Sequence, residues 1–337
     1  MAGRMAIRPL GQTSLVVSRL GLGLAALGRP GYITLGRSHD LPAARTPEVM
    51  YARAAEVLDA ARAADIRYLD VARSYGRAEE FLARWLAERG VSRDAVTVGS
   101  KWGYRYTAGW RVEAAVHEEK ELSLARFTTQ LAESRGLLDG WLDLYQIHSA
   151  TPESGCFEDA ALLRALVDGR RSGAYHAVGL TLSGPTSARA LALACEAWVD
   201  GERVFDAVQA TFNCLEPSLG PALAEAHAAG LGVIAKEVFA NGRLTDANQR
   251  PEDGPLLARL RSLAAAYGAA VDQLALAFTL AAPFVDVALS GAATTAQLAS
   301  HVAALDVRAD GALLAELALL AEGPERYWAT RSALPWV

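Results

Sequence analysis

Four side chains that could perform acid–base chemistry follow consecutive apolar segments of the chain. Asp70 ends one such segment, and Tyr75 follows it in the next loop. Lys101 and His148 end the next two segments. Because the carboxyl ends of neighbouring parallel strands meet at one rim, we expect the four side chains to lie together. A phenol beside a buried ammonium can hold a proton ready near neutral pH, which suits the reduction of a carbonyl group.

The chemistry expected of these residues is general acid catalysis. A carbonyl group that accepts a hydride becomes an alkoxide, so the site must deliver a proton to it. Tyr75 can donate that proton, and Lys101 is expected to lower the phenol pKa from its usual value of about 10. Asp70 would keep Lys101 charged, and His148 would hydrogen-bond the carbonyl oxygen or act as a second donor. Each residue alone has an ordinary structural explanation, so the hypothesis rests on their combination.

The elements that must position these residues alternate along the chain as short apolar strands and amphipathic helices. The helix before Asp70 has one apolar stripe, formed by Ala54, Val57, Leu58 and Ala61. The strands are almost continuously apolar, as expected when both faces of a sheet are covered. This alternation predicts an α/β fold, a (β/α)8 TIM barrel formed by one domain over residues 1–337. An open doubly wound sheet is the alternative, but no Gly-x-Gly-x-x-Gly follows an early strand.

Strands and helices are predicted at definite positions. The predicted strands are Arg19–Gly23, Ile66–Asp70, Val96–Lys101, Leu142–His148, Ala177–Thr181, Ala207–Thr211, Gly232–Lys236 and Val285–Ser290. The predicted helices are Glu48–Ala64, Glu79–Arg89, Ser123–Leu138, Glu158–Arg171, Thr186–Trp198, Pro217–Ala229 and Leu256–Tyr267, with another through Gln297. A hairpin within Leu10–Ser18 is expected to plug the barrel, and extra helices are expected at the C-terminus. Two long loops, residues 24–47 and 102–122, should surround the site.

Composition and charge limit the classes of function. The 337 residues are 52% apolar, which suits a large core, and the net charge of −5 argues against a nucleic-acid or anionic-membrane partner. Cys156, Cys195 and Cys214 are odd in number and lack metal-ligand spacing, which indicates thiols in a reducing compartment and no metal site. No signal-peptide pattern or spanning apolar stretch is present, so a cytoplasmic protein is expected.

Several motifs together resemble those of the aldo-keto reductase superfamily, over essentially the whole chain. Its Asp-x-Ala-x-x-Tyr-Gly motif stands here as Asp70 to Gly76. Its Ser/Thr-Lys strand end stands as Ser100-Lys101, and its Asp-Leu-x-x-x-His stretch as Asp143 to His148. The opening Leu10 to Gly23 is similar to the family's first hairpin and strand. The resemblance implies a (β/α)8 barrel, a nicotinamide coenzyme and a catalytic tetrad formed by the four residues above.

The resemblance also implies where the coenzyme is held. Gln209 matches the position that binds the carboxamide, and Phe212 takes the position of the aromatic ring that stacks on nicotinamide. Thr181-Leu182 stands in place of the family's Ser-Asn pair, so Thr181 keeps a hydroxyl and Ser183 is a possible substitute. The remaining contacts are expected from the loops after the last two strands, at Lys236, Glu237, Val238, Asn241, Gly242, Arg243, Gly291, Ala292, Thr294, Gln297 and His301.

The sequence leaves two coenzymes and a broad class of substrates open. The family favours NADP(H), whereas the absence of Lys or Arg at Thr294, Gln297 and His301 makes NAD(H) the alternative. Trp102, Tyr104 and Trp110 are expected to wall a pocket for a small-molecule carbonyl or alcohol, flat or sugar-like. The oligomeric state cannot be read from the sequence.

Two other classes of function stay open. Some relatives bind nicotinamide and serve mainly as regulatory or partner subunits, although the intact tetrad weighs against that class. A barrel hydrolase or lyase could use Asp70 and His148 with a metal, but no cluster of three or more ligands accompanies them.

Overall fold

The computed structural model describes residues 5–36 and 40–337. Within them, eight parallel strands close a barrel, in which each strand pairs with the next and the last with the first. The barrel strands are β1 (Leu20–Gly23), β2 (Tyr68–Asp70), β3 (Thr97–Trp102), β4 (Leu144–Ala150), β5 (Ala177–Leu182), β6 (Ala207–Thr211), β7 (Gly232–Lys236) and β8 (Val287–Ser290). The predicted (β/α)8 barrel is therefore confirmed.

Helices cover the outside of this barrel. Those of the described residues are α1 (Pro47–Ala63), α2 (Ala78–Glu88), α3 (Leu124–Leu137), α4 (Ala160–Arg171), α5 (Ser187–Cys195), α6 (Gly220–Ala228), α7 (Gly254–Tyr267), α8 (Val271–Ala281), α9 (Thr295–Ala303), α10 (Gly311–Ala318) and α11 (Pro324–Ser332). The Thr46 hydroxyl caps α1 by accepting a hydrogen bond from the Val49 amide, and Pro47 occupies the first helical position. The predicted apolar stripe of α1 is buried, and the other predicted helices form with ends shifted by a few residues.

A β-hairpin closes the amino-terminal end of the barrel, as predicted, although its first strand precedes the predicted start at Leu10. Its strands, Ile7–Pro9 and Val16–Ser18, pair antiparallel. Leu10 and Leu15 from the hairpin pack in one cluster with side chains of the barrel interior. At the turn, Gly11 has a φ of 53°, and a Cβ there would lie 2.3 Å from a backbone nitrogen. Only glycine fits this contact, because any side chain would push the hairpin off the barrel.

Several features were not predicted, among them one helix, one hairpin and one bridge. The helix α8 is apolar on nearly every side and largely buried, so no stripe distinguishes it from a strand. A short hairpin, Tyr104–Tyr106 with Glu118–Lys120, forms within the long loop after β3. The end of the chain joins the long loop after β1 through an antiparallel bridge between Ile33 and Trp336. The last two features bring both long loops and the C-terminus to one end of the barrel.

Two general properties complete the description. All three cysteines are free thiols, two of them buried and one partly buried. Taken singly, no helix of the described part of the chain is long and apolar enough to cross a membrane. Pro251–Tyr267 and Val271–Ala281 meet the length and composition required only as a pair, which is bent by 80°.

Candidate active site

A cavity of about 280 Å³ lies at the carboxyl ends of the barrel strands. Asp70 at the end of β2, Tyr75 in the following loop and His148 in β4 line it. Lys101, in β3, is fully buried next to Asp70. The expected meeting of four side chains at one rim is therefore present in the structure.

Asp70 and Lys101 form a buried ion pair. The Lys101 Nζ donates hydrogen bonds to Oδ1 of Asp70 and to the Val71 carbonyl oxygen, the latter at 3.0 Å. Burial lowers the pKa of Lys101, and the charge of Asp70 opposes that shift. Taking both charges out of water is costly unless they stay paired, so loss of either partner should destabilise the fold.

The environment of Tyr75 differs from the expectation. Burial and then the charge of Asp70 raise the pKa of Tyr75 well above the usual value of 10, and Arg29 opposes them. The Nζ of Lys101 lies 4.7 Å from the centre of the Tyr75 ring, with its charge already paired to Asp70. The expected net lowering of the phenol pKa is therefore wrong, because burial and the charge of Asp70 outweigh the positive charges near the ring. The phenol keeps its proton at neutral pH, as a proton donor must.

His148 stands between two tyrosine rings. Its ring centre lies 5.5 Å from that of Tyr75 and 4.9 Å from that of Tyr104, both in edge-to-face arrangements. Burial and then the charge of Lys101 lower the pKa of His148 well below its usual value of 6.5. The imidazole is therefore neutral at pH 7, with one nitrogen as donor and the other as acceptor.

Close contact between two loops holds Tyr75 in place. A Cβ at Gly28 would lie 2.3 Å from the Tyr75 carbonyl oxygen, and a Cβ at Gly76 would lie 2.5 Å from the Gly28 carbonyl oxygen. Gly76 also has a φ of 62°, in the left-handed region that favours glycine. These two glycines let the loop after β1 approach the loop after β2 closely enough to fix the phenol.

The wall opposite Tyr75 carries a lysine held by hydroxyl groups. Lys236 Nζ donates hydrogen bonds to Ser183 Oγ at 3.2 Å and to Thr211 Oγ1 at 3.1 Å. Burial lowers the pKa of Lys236 to about 8. Burial opposes the loss of a proton from Glu237, but Arg331 and Lys236 outweigh it and lower the pKa of Glu237 to about 2.

Most of the predicted coenzyme residues line this cavity or a second one of about 270 Å³. The two cavities share six lining residues, so they are continuous. The predicted residues that line the first cavity, besides the tetrad members, are Tyr104, Gln209, Lys236, Glu237, Val238, Asn241, Gly242 and Gly291. Gln297 and His301 line the second, where the His301 ring stacks on Phe239 at 4.2 Å.

Two predicted pocket walls lie elsewhere. Trp102 is fully buried with its ring 5.2 Å from Phe127, outside the cavity lining. Trp110 packs 6.1 Å from Phe81, and its Nε1 donates to the Arg45 carbonyl oxygen at 2.7 Å. Trp102 follows Lys101 directly in a strand, so the two side chains point to opposite faces. Of the three expected walls, Tyr104 alone lines the cavity.

Phe212 does not face the cavity either. Its ring packs 5.8 Å from that of Phe278 and 5.2 Å from that of Phe284, in the layer between barrel and helices. The alternation along the chain explains this placement, because Phe212 stands three positions after the inward-facing Gln209. The expectation that Phe212 stacks on nicotinamide is therefore corrected.

Three further predicted contacts have structural roles. Thr181 is buried and its Oγ1 accepts a hydrogen bond from the Ser149 amide at 2.7 Å. Thr294 caps α9 by accepting the Gln297 amide, and Ala292 is buried beside it. None of the three lines either cavity. They shape the ends of β5 and β8 rather than the surface of the site.

Arg243 is also outside both cavities. Its buried guanidinium donates to Asp253 at 2.8 Å and to Glu322 at 2.8 Å. The expected coenzyme contact of Arg243 is therefore corrected, since its guanidinium is paired with two carboxylates. It ties the loop after β7 to the segment between α10 and α11.

Other lining residues were not predicted as site residues. They include Arg29, Tyr32, Glu118, Ser149, Phe239 and Arg331. Ser183, the possible substitute named from the sequence, also lines the cavity. Arg29 pairs with Glu118 across the two long loops, and Arg331 pairs with Glu237 at 2.8 Å. A charged residue in a loop near the site was the only available signal. No spacing rule connects partners 89 or 94 residues apart.

The residues present fit a dinucleotide. Asn241 Oδ1 is buried beside the first cavity without a hydrogen-bond partner in the described residues, while its Nδ2 donates to the Ile33 carbonyl oxygen. Gly291 lines both cavities and has open space where a Cβ would stand. The first amides of α9 precede its intrahelical hydrogen bonds, an arrangement that favours anions. Within residues 5–36 and 40–337, no three His, Cys, Asp or Glu side chains are grouped as a metal site.

Comparison with known proteins gives one family. A family model described as the aldo/keto reductase family matches residues 19–319. The solved structure of the aldo-keto reductase AKR11C1 from Bacillus halodurans, in its holo form, is 20% identical and superimposes with a TM-score of 0.73, covering 95% of this chain and 97% of that one. PA4992 from Pseudomonas aeruginosa, named as a candidate aldo-keto reductase, is 24% identical with a TM-score of 0.63, covering 89% and 93%. No curated protein sequence matches.

Proposed function

This chain belongs to the aldo/keto reductase family, and we propose that it is a nicotinamide-dependent oxidoreductase that reduces an aldehyde or ketone, or oxidises the corresponding alcohol or sugar. Membership of the family supports an oxidoreductase of carbonyl compounds. The observation that carries the finer proposal is that Tyr75 and His148 line one cavity above the buried pair of Asp70 and Lys101. A small-molecule substrate and a cytoplasmic location are part of the same proposal.

The tetrad residues divide the work of proton transfer. Tyr75 holds its proton at neutral pH, because its pKa is raised, and gives it to the oxygen that becomes an alcohol. His148, as a neutral imidazole, donates a hydrogen bond that orients the carbonyl oxygen. Lys101, held by Asp70, places a positive charge beneath the phenol ring, where it stabilises the phenolate left after transfer. A bound nicotinamide would supply or accept the hydride.

The chain's own residues can hold that coenzyme along both cavities. Lys236 and Ser183 offer donors in the first cavity, next to the tetrad. Asn241 offers a free carbonyl oxygen, and Gly291 leaves room for a group to approach the amino-terminal end of α9. Because Lys236 has a pKa of about 8, we expect affinity for an anionic ligand to decline as the pH rises through that value.

Charges in the second cavity bear on the choice of coenzyme. Asp40, Asp246 and Asp272 line it, and within the described residues neither Lys nor Arg does. Burial lowers the pKa of His301 to about 4, so its ring is neutral at pH 7. A 2′-phosphate would meet carboxylates there, whereas a ribose hydroxyl could donate to them. These residues support NAD(H), the alternative to the NADP(H) that the family resemblance favours.

Two measurements on the purified protein test the proposal. Turnover is followed with 4-nitrobenzaldehyde and a panel of sugars and ketones, with each coenzyme, and binding is followed by nucleotide fluorescence. We expect carbonyl reduction. We also expect NADH to bind at least about tenfold more tightly than NADPH, which corresponds to about 1.4 kcal/mol of binding free energy. Tighter binding of NADPH would overturn the coenzyme assignment alone. Arg37, outside the described residues, would then be replaced by Ala to ask whether it carries that preference.

The remaining outcomes separate the competing functions. Coenzyme binding without turnover across the panel would indicate a nicotinamide-binding partner subunit. Absence of both binding and turnover would overturn the oxidoreductase proposal. Activity that a chelator removes would revive a metal-dependent hydrolase or lyase.

A further inference from the structure

We propose that Tyr68 is a positioning residue for the reaction, acting through the carboxylate of Asp70; this role depends on the proposed function. The Tyr68 hydroxyl donates a hydrogen bond to Asp70 Oδ2 at 3.2 Å. Gln209, reaching across the barrel from β6, donates its Nε2 to the same oxygen at 2.8 Å. The other oxygen of Asp70 binds Lys101. The two oxygens of one carboxylate therefore have separate partners.

Tyr68 occupies a slot made by two glycines. Its side chain is fully buried in the barrel interior, and its neighbours in the barrel are β1 and β3. A Cβ at Gly99 would lie 2.2 Å from the Tyr68 hydroxyl oxygen, and a Cβ at Gly21 would lie 3.0 Å from the ring. The distance at Gly99 is shorter than real Cβ contacts show, and the distance at Gly21 is tighter than nine in ten of them. Because Gly21 and Gly99 carry no side chain, the Tyr68 ring fits between the two adjoining strands and its hydroxyl reaches Asp70.

The two donors at Oδ2 determine the orientation of the carboxylate. Rotation of the Asp70 side chain would break both bonds, so the plane that directs Oδ1 at Lys101 is fixed. Gln209 lines the cavity and is open to competition from a bound ligand, whereas Tyr68 does not line it. Tyr68 is therefore the donor that holds Asp70 in place in both the empty and the loaded site.

The placement of Lys101 is what this arrangement controls. Its Nζ is directed by Asp70 and the Val71 carbonyl oxygen to a point beneath the Tyr75 ring. Displacement of the carboxylate would move the positive charge relative to the phenol that donates the proton. Electrostatic stabilisation depends steeply on such placement in a site that excludes water. Loss of the Tyr68 hydroxyl should therefore lower kcat and leave the affinity for ligands unchanged.

The first test uses two variants, one that removes the Tyr68 hydroxyl and one that displaces it. Tyr68→Phe should lower kcat on the order of tenfold, the effect of losing about 1.4 kcal/mol from one hydrogen bond to a charged group. KM and the coenzyme dissociation constant should stay within about twofold, since the ring does not line the cavity. Gly99→Ala keeps Tyr68 but displaces its hydroxyl, and should lower kcat in the same direction.

The matched control is another buried phenol. Tyr175 donates its hydroxyl to the Leu166 carbonyl oxygen at 2.7 Å, away from the cavity. Tyr175→Phe should lower the thermal midpoint as Tyr68→Phe does, with kcat unchanged. If Tyr68→Phe keeps kcat within about twofold while losing as much stability as Tyr175→Phe, the residue is only structural and the proposal is wrong.

A double-mutant cycle isolates the path through Asp70. In an Asp70→Asn background, adding Tyr68→Phe should not lower the single-turnover rate further, because the carboxylate that Tyr68 positions is gone. An equal cost in both backgrounds would overturn the proposal. Failure of the proposed function has a different signature, a wild-type protein that neither binds a dinucleotide nor turns over. The four proteins of the cycle, the wild type and three variants, would then still report the Tyr68–Asp70 coupling through urea unfolding.

Discussion

The ammonium nitrogen of Lys101 lies 4.7 Å from the centre of the Tyr75 ring, and its hydrogen bonds go to Asp70 and Val71. The lysine is thus placed against the face of the phenol ring, where its charge acts through space. Burial and Asp70 keep the pKa of Tyr75 above its usual value in this state. The arrangement suits a donor that releases its proton only when negative charge develops on a bound oxygen.

Removal of the Tyr75 hydroxyl should separate chemistry from binding. In Tyr75→Phe we expect carbonyl reduction to fall by about 10² to 10⁴, the usual contribution of a positioned acid. Coenzyme affinity, measured by fluorescence titration, should stay unchanged because the ring is retained. Tyr267, at the end of α7, donates its hydroxyl to Asp310. Tyr267→Phe is the control and should keep full activity. Full activity in Tyr75→Phe would show that another group donates the proton.

Breaking the buried ion pair should cost stability as well as activity. Lys101→Met leaves the Asp70 carboxylate buried without its counter-charge, so the free energy of unfolding should fall by about 3 kcal/mol. Adding Asp70→Asn removes the stranded charge and should recover most of that loss, while activity stays absent. Urea unfolding at pH 7 measures both. A double variant no more stable than Lys101→Met would contradict the assignment of the cost to an unpaired carboxylate.

Arg243 should behave as a structural residue. Its buried guanidinium joins Asp253 and Glu322, so Arg243→Ala should lower the free energy of unfolding by about 3 kcal/mol. Arg259→Ala removes an exposed pair with Glu316 and should cost less than about 1 kcal/mol. Coenzyme affinity of the folded Arg243→Ala protein should match the wild type. A large loss of affinity without a loss of stability would restore the coenzyme contact expected from the sequence.

His301 should make the fold sensitive to mild acid. Burial, opposed by Asp272, lowers the pKa of His301 to about 4 from a usual 6.5. Below pH 6.5 the unfolded chain therefore binds a proton that the folded chain does not. This contribution to stability is complete above pH 6.5 and is lost as the pH falls towards 4, by about 1 kcal/mol per pH unit.

Urea unfolding at pH 7, 6 and 5 measures this dependence. His301→Asn cannot titrate and keeps an amide beside Ser290, with which the imidazole Nδ1 makes a 2.7 Å hydrogen bond, so its curve should be flatter. His176→Asn, at a side chain 56% exposed, should leave the wild-type slope unchanged. Equal slopes in all three proteins would refute the assignment to His301.

The alternation of side chains along strands explains several successes and errors of sequence-based prediction. Lys101 and Gln209 face the barrel interior, as the expected site requires. Trp102 and Phe212 stand at odd spacings from them and consequently face the helix layer. That placement could have been predicted from the same two-residue period. The role of Arg243 could not, because its partner Glu322 lies 79 residues away and is brought close only by folding.

The repeat of strand and helix, with Asp70, Tyr75, Lys101 and His148 in order along it, is predictable from residue pattern, because apolar periodicity and strand ends are local properties. Which groups meet depends on the folded arrangement. Gln209 reaches Asp70 across 139 residues, and the protonation of Tyr75 follows from burial and the charges around it. Those properties depend on desolvation and distance in three dimensions, to which neither residue type nor spacing gives access.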